Sequence, residues 1–349
     1  ATQVEKDFYN LLDVYLDAVF HPLINSHSFL QEGCRLEFED PDDPTSPLKY
    51  KGIVYNEMKG SMAPESRLWH ESIKAIFPDL PYAYNSGGEP KEIPNLTYEE
   101  LIEFHKKNYH PSQCLFFFYG SLPLKKHLDF ITDKILGQVQ EKTSLPNMPL
   151  QKRFQAPCKT TLSYPADPEQ KNQAKALVSF SWLTCTIKEP SEVLALSLLD
   201  AVLMESDASP LKKELLASGL ATQIDAMIDT EVSEIPYTLT FKGCNPEDID
   251  KLEECLFAAL RKLSQSPFHD VLIDAALHQM EFSRTEITGD HGPFGLSLFF
   301  RTALTKQHGG DPLHSLMIHS LFEDLLEKVK DPKYLPTLIE KYFLQNPHY

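Results

Sequence analysis

Three prolines, Pro146, Pro149 and Pro157, fall between Lys142 and Lys159, and no single helix or strand can run through a stretch punctuated in this way. The segments on either side carry regular apolar periodicity, so the stretch reads as a linker dividing the chain into residues 1–141 and 160–349. A prior of roughly 150 residues per domain gives the same count of two. Hydrophobic residues make up 42% of the 349, ample for a sizeable core.

In the first part, Asp7 to Phe20 places Phe8, Leu11, Leu12, Tyr15, Leu16 and Val19 at helical spacing, and His21-Pro22 stops the helix. RLEFE then alternates as a strand, PDDPTSP is a solvated loop, and Lys49 to Gly52 leads into a helix that carries Glu57. ESRLWHESIKAIFP reads as a helix up to Pro78 with Leu68, Ile73, Ile76 and Phe77 inward, and Asn85 to Gly88 is a turn in which Gly87 or Gly88 takes positive φ. Thr97 to Glu100 fits a capping box opening a helix to about Tyr109. Leu115 to Tyr119 (LFFFY) reads as a fully buried strand.

In the second part, Ala174 to Thr184 alternates as a strand, Glu192 to Met204 and SPLKKELLASG are helices, and Gly219 caps the latter. Ala221 to Asp229 and Ile235 to Lys242 read as paired strands, and Asp248 to Leu263, Asp270 to Thr285, Phe294 to Leu304 and Pro332 to Tyr342 as helices. The class is α+β. The order of elements also repeats: DFYNLLDVYLDAVF before KGIVYNEMKG is matched by DIDKLEECLFAALRKL before DVLIDAALHQMEF, which sets Glu57-Met58 opposite Gln279-Met280.

Glu57 is the residue whose setting asks for an explanation. Ile53, Val54, Tyr55 and Met58 surround it, and Ile53, Glu57 and Gly60 share one helical stripe, so burial is expected. A buried carboxylate must be paired, hydrogen-bonded or bound to a metal. The plain alternative is a half-exposed Glu57 paired with Lys51 or Lys59.

Several function classes drop out. A formal charge of −17 spread over both halves disfavours nucleic acid. No run approaches the roughly 18 apolar residues of a membrane span. The six cysteines, Cys34, Cys114, Cys158, Cys185, Cys244 and Cys255, form no CxxC pair and read as reduced, buried thiols of a cytosolic-type compartment rather than nucleophiles or a disulfide framework. Neither a nucleophile elbow nor a phosphate loop occurs, and prolines break any calcium-loop pattern in Glu37 to Asp43. His105 and His110 are five apart, as are His314 and His319, off a common helical face for zinc, and His269, His278 and His291 are too widely spaced to argue for a site. Trp69, Trp182 and Phe116 to Phe118 read as core aromatics.

The segments FLQEGCRLEFEDPDDPTSPLKYKGIVYNEMKG and SGGEPKEIPNLTYEELIEFHKKNYHPSQCLFFFYG closely resemble the insulinase-like (pitrilysin) zinc metallopeptidases, and within them the presequence protease subfamily. The resemblance is dense from Asp7 to about Tyr119 and thinner beyond. It implies two similar domains, each a mainly antiparallel sheet with helices on one face, the first bearing a zinc ligand and the second metal-free. It also implies that Glu57 is the third protein ligand of a catalytic zinc. The family's HxxEH, which supplies two histidine ligands and the glutamate that activates water, is absent, since no Glu-His dipeptide occurs in the chain.

The expectation is therefore a piece of the N-terminal half of a zinc metalloendopeptidase, truncated at both ends, inactive alone and holding no zinc tightly. Its partners are an unstructured peptide substrate and the missing N-terminal segment and C-terminal half of the same enzyme, with no nucleic acid and no membrane. The first residues, ATQVEKDFYN, show no signal or transit peptide. The compartment expected is a bacterial cytoplasm, or an organelle matrix if a transit peptide lies upstream. The rival reading is a non-catalytic structural or peptide-binding relative.

Overall fold

The computed structural model describes residues 2–143, 147–165, 176–285 and 292–349. Contacts group residues 1–62 with 85–147 and residues 63–84 with 148–349. The first unit holds α1 (Glu5–Phe20), α2 (Ser26–Glu32), β1 (Arg35–Phe38), β2 (Leu48–Lys51) and α3 (Ile53–Gly60). Next comes α4 (Pro64–Ile76), which belongs to the second unit, before α5 (Tyr98–Asn108) and α6 (Leu124–Lys134) return to the first.

α1 ends at His21 as its sequence requires, and buries Leu16 against Ile131 and Ile135 at the α6 end, with Leu12, Phe20, Phe116, Phe118 and Phe130 packed around them. His127 on α6 is buried in this cluster, its ring stacked 4.3 Å from that of Phe118 and its Nδ1 3.1 Å from the Tyr9 hydroxyl. Ion pairs Lys126–Glu5 and Lys134–Asp13 tie the same two helices at the surface. α5 opens on the expected capping box, with the Thr97 hydroxyl accepting from the Glu100 amide and the Glu100 carboxylate accepting from the Thr97 amide. The turn glycine with positive φ is Gly88, at 96°.

LFFFY is not a strand. Residues 115–119 lie outside any ladder among the described residues, because the sheet of this unit is the antiparallel β1–β2 hairpin alone. Phe116 and Phe118 turn to the core while Leu115, Phe117 and Tyr119 are exposed, so the segment keeps the sidedness of a strand without the full burial expected. β2 occupies Leu48 to Lys51, where the sequence suggested only a lead-in to the helix.

The second unit continues with β3 (Ala176–Thr186), α7 (Pro190–Met204), α8 (Pro210–Ala217), β4 (Gln223–Ile228), β5 (Glu234–Cys244), α9 (Ile249–Ser264), α10 (Asp270–Thr285), α11 (Phe294–Gln307), α12 (Pro312–Leu316), α13 (Ile318–Lys328) and α14 (Tyr334–Ile339). The first two residues of the expected strand, 174 and 175, lie outside the described residues. The sheet is antiparallel in the order β3-β5-β4, with Trp182 opposite Tyr237 and Ala226 opposite Leu239. Alternation sends Phe180, Trp182, Tyr237, Leu239 and Phe241 to one face, where they meet α7, α9 and α14 in the main core. α7 is apolar nearly all round, and accordingly Ala195, Leu196, Leu198, Leu199, Val202, Leu203 and Met204 are all buried. Each such large side chain contributes about 1.5–3 kcal/mol of burial. The other face is polar, with Ser181 bonded to Thr238, and α4 packs there on β3 through Ile73, Ile76, Phe77 and Leu183.

From Met148 the stretch read as a linker is fastened to this unit. The Gln151 amide donates to the buried Glu234 carboxylate at 2.6 Å, and Arg153 pairs with Glu234 at 2.9 Å and donates to the carbonyls of Leu183 and Thr184.

All six cysteines are free. Cys185 and Cys244 are buried as expected and Cys34 and Cys255 partly so, whereas Cys114 and Cys158 are exposed, because neither segment 114–119 nor segment 155–165 is covered on both sides. No helix among the described residues is long and apolar enough to cross a membrane.

Candidate functional site

The position of Glu57 is set from the hairpin upward. β1 and β2 pair Arg35 with Lys51, and the chain passes from Lys51 through Gly52 straight into α3. Gly52 lies against the backbone of the α2–β1 turn, close enough that a Cβ there would sit 2.1 Å from the Gly33 carbonyl oxygen. The Tyr55 amide donates to that same oxygen at 3.3 Å. Further along α3, Met58 rests against Gly87, and the Ser61 amide closes the helix on the Glu57 carbonyl.

Glu57 itself is exposed, which corrects the expectation of burial. α3 has no buried residue at all, with Ile53 53% and Val54 37% exposed, since this unit has too small a sheet and core to cover that helix face. Neither lysine of the plain alternative engages Glu57. Lys51 joins Arg35 on Glu37, at 3.2 Å and 2.6 Å, and Glu57 makes no side-chain hydrogen bond or ion pair among the described residues.

Among the described residues, no three histidine, cysteine, aspartate or glutamate side chains come together to hold a metal. His105 and His110 are spent on structure. His105 donates from Nε2 to the Val19 carbonyl and stacks on Tyr109, and His110 accepts from the Ser112 amide in the turn that follows. His269, His278, His314 and His319 are exposed, and His291 lies outside the described residues. Burial raises the Cys34 thiol above its ordinary value, the opposite of what a nucleophile needs.

Two perturbed groups that the sequence did not single out, Asp200 and Tyr237, lie in the second unit. Burial raises the Asp200 carboxyl, although the Tyr237 hydroxyl donates to it at 2.7 Å, and the same burial raises Tyr237. On α10, Gln279, which the sequence comparison sets opposite Glu57, donates to Glu205 beside the α7 C-terminus at 2.9 Å.

The family profile described as "Peptidase M16 inactive domain" matches residues 95–280. The chain is 36% identical over its whole length to a mitochondrial presequence protease of Xenopus laevis, and 35% identical to the Clostridium perfringens protein named HypA. It spans about a third of the length of these relatives, 34% and 36%. Its fold is that of a protease from Helicobacter pylori, with a TM-score of 0.73 at 17% identity, covering 98% of this chain and 75% of the other. It is also that of a peptidase M16 inactive domain from Pseudomonas fluorescens, with a TM-score of 0.69 at 14% identity, covering 99% and 74%. With a profile matching more than half of its residues and a presequence protease aligned along all of it, the chain belongs to the M16 peptidases, the insulinase-like (pitrilysin) family.

Proposed function

We propose that this chain is one part of a zinc metalloendopeptidase that degrades unstructured peptides such as cleaved targeting presequences. The observation that carries the proposal is the alignment of the entire chain with a protein named as a presequence protease; the resemblance of the Glu57 segment to the family's zinc-ligand motif supports it. A catalytic zinc takes three protein ligands and an open position. One exposed carboxylate does not fit that requirement, so no step of hydrolysis is assigned to the residues of this chain alone. In the longer protein Glu57 contributes one ligand, and the two histidines and the general base of HxxEH come from elsewhere in it. The exposed apolar side chains of this unit, Ile53 and Val54 on the same helix and Leu115 and Tyr119 in segment 115–119, then pack against further parts of the same enzyme.

The domain scheme that goes with this reading is a zinc-ligand-bearing first domain over residues 1–141, a linker over 142–159 and a homologous metal-free domain over 160–349. The compartment is an organelle matrix, as the names of the mitochondrial relatives suggest, or a bacterial cytoplasm. Neither nucleic acid nor a membrane is a partner.

A second reading, a non-catalytic structural or peptide-holding relative, draws on the profile's description as an inactive domain and on the exposure of Glu57. The two readings separate in a longer polypeptide that carries this chain together with an HxxEH segment. There Glu57→Gln lowers zinc occupancy and leaves the fold intact if the enzyme reading holds, and unchanged zinc content removes Glu57 from the site.

A further inference from the structure

Residues 345–349 form a junction that the peptidase reading does not use. His348 is 0% exposed, and both nitrogens of its ring are committed. Nε2 lies 2.8 Å from the Ile76 carbonyl, which can only accept, so Nε2 carries a proton; Nδ1 lies 3.0 Å from the Phe154 amide, which can only donate, so Nδ1 carries none. The ring also stacks on Phe154 with centroids 3.8 Å apart and planes 11° from parallel. Its backbone carbonyl accepts from the Leu183 amide at 3.1 Å, and the neighbouring Tyr349 carbonyl accepts from the Cys158 amide at 2.9 Å. The Leu183 carbonyl in turn accepts from Asn346 and from Arg153. The His348 ring thus joins the end of α4 to segment 151–158, and its backbone carbonyl joins segment 345–349 to β3.

We propose that His348 is a proton-operated clasp: neutral, it holds segment 151–158 and segment 345–349 together on β3, and protonated, it loosens both. Adding a proton to Nδ1 sets two donors face to face at Phe154 and places a cation on a fully buried ring. The charged groups around the ring offer no relief. Arg153 is a second cation, its partner Glu234 is already held by Arg153 and the Gln151 amide, and Asp79 from the loop after α4 is held by Gln151. Farther from the ring, Lys159 and Glu253 are paired with each other. Burial and the Arg153 cation hold His348 below its ordinary value, which keeps the clasp shut near neutrality.

Residue-resolved amide exchange between pH 8 and pH 5 tests this. Corrected for intrinsic rates, protection at Phe154, Leu183 and Cys158 falls by up to about tenfold per pH unit as pH drops from the free imidazole value of about 6.5 towards the lowered value of His348, while Leu239 and Phe241 in the sheet keep theirs. In His348→Gln the same three amides show one protection at both ends of the range, and His308→Gln, which alters the other buried histidine of this unit, retains the fall. Protection independent of pH in the wild type, or a fall that survives His348→Gln, overturns the clasp. If His348→Gln does not fold, the wild-type imidazole resonance of His348 decides. Coincident midpoints for ring titration and amide release support the clasp, and separate midpoints overturn it.

Discussion

Gly52 and Gly33 meet backbone to backbone, with the Gly52 Cα so near the Gly33 carbonyl that no side chain fits between them. The helix carrying Glu57 starts at this contact, one residue past the β1–β2 hairpin. Because the obstacle is a main-chain oxygen rather than the end of a flexible side chain, Gly52→Ala must move backbone. It is expected to cost about 1–3 kcal/mol, seen as a lower urea midpoint and faster exchange in residues 53–60. A midpoint equal to wild type would show that the turn yields without cost.

Glu57→Gln in this chain alone is expected to leave the denaturation midpoint unchanged, since the side chain is exposed and bonded to nothing among the described residues. A clear gain or loss of stability would mean that the carboxylate has a structural partner.

Tyr237→Phe removes the hydroxyl that donates to Asp200 and leaves a largely buried carboxylate without its bond. The expected loss is about 1–3 kcal/mol at pH 7. It should shrink as pH falls and Asp200 takes up a proton, a trend read from urea midpoints at pH 7 and pH 5. A deficit that grows with acid would contradict the assignment.

Burial depresses two histidines of the second unit, His308, beside Lys188, and His348, beside Arg153. For a base held below its unfolded value, the unfolded chain binds more protons in the window between the two values, so stability rises with pH across it. The stability these groups contribute is complete above about pH 6.5 and lost as pH falls through their folded values. Urea midpoints at pH 7.5, 6.5 and 5.5 should show a plateau and then a decline, weaker in His308→Gln.

The sequence was legible where signals are local. The Thr97–Glu100 box, the Pro-terminated helix α4 and the paired strands β4 and β5 all follow from spacing and capping alone. Short amphipathic pieces were harder: α2 has seven residues and no buried side chain to announce it, while α6 does carry an apolar stripe through His127, Ile131 and Ile135 that could have been read. LFFFY misled because composition reports only how apolar a segment is, and a strand also needs a neighbour to bond. Glu57 misled for a related reason, since apolar neighbours in sequence do not bury a residue on a helix face that nothing covers. His348 could not be found at all from the text, its partner Ile76 lying 272 positions away.

The central claim is that this chain is a peptidase part that cannot work or hold its metal by itself, and the most direct measurement is zinc content together with peptidase activity of the purified chain. After dialysis the account predicts no stoichiometric zinc and no cleavage of an unstructured cationic peptide beyond the rate without protein. One zinc per chain, or cleavage that a chelator abolishes, would contradict it.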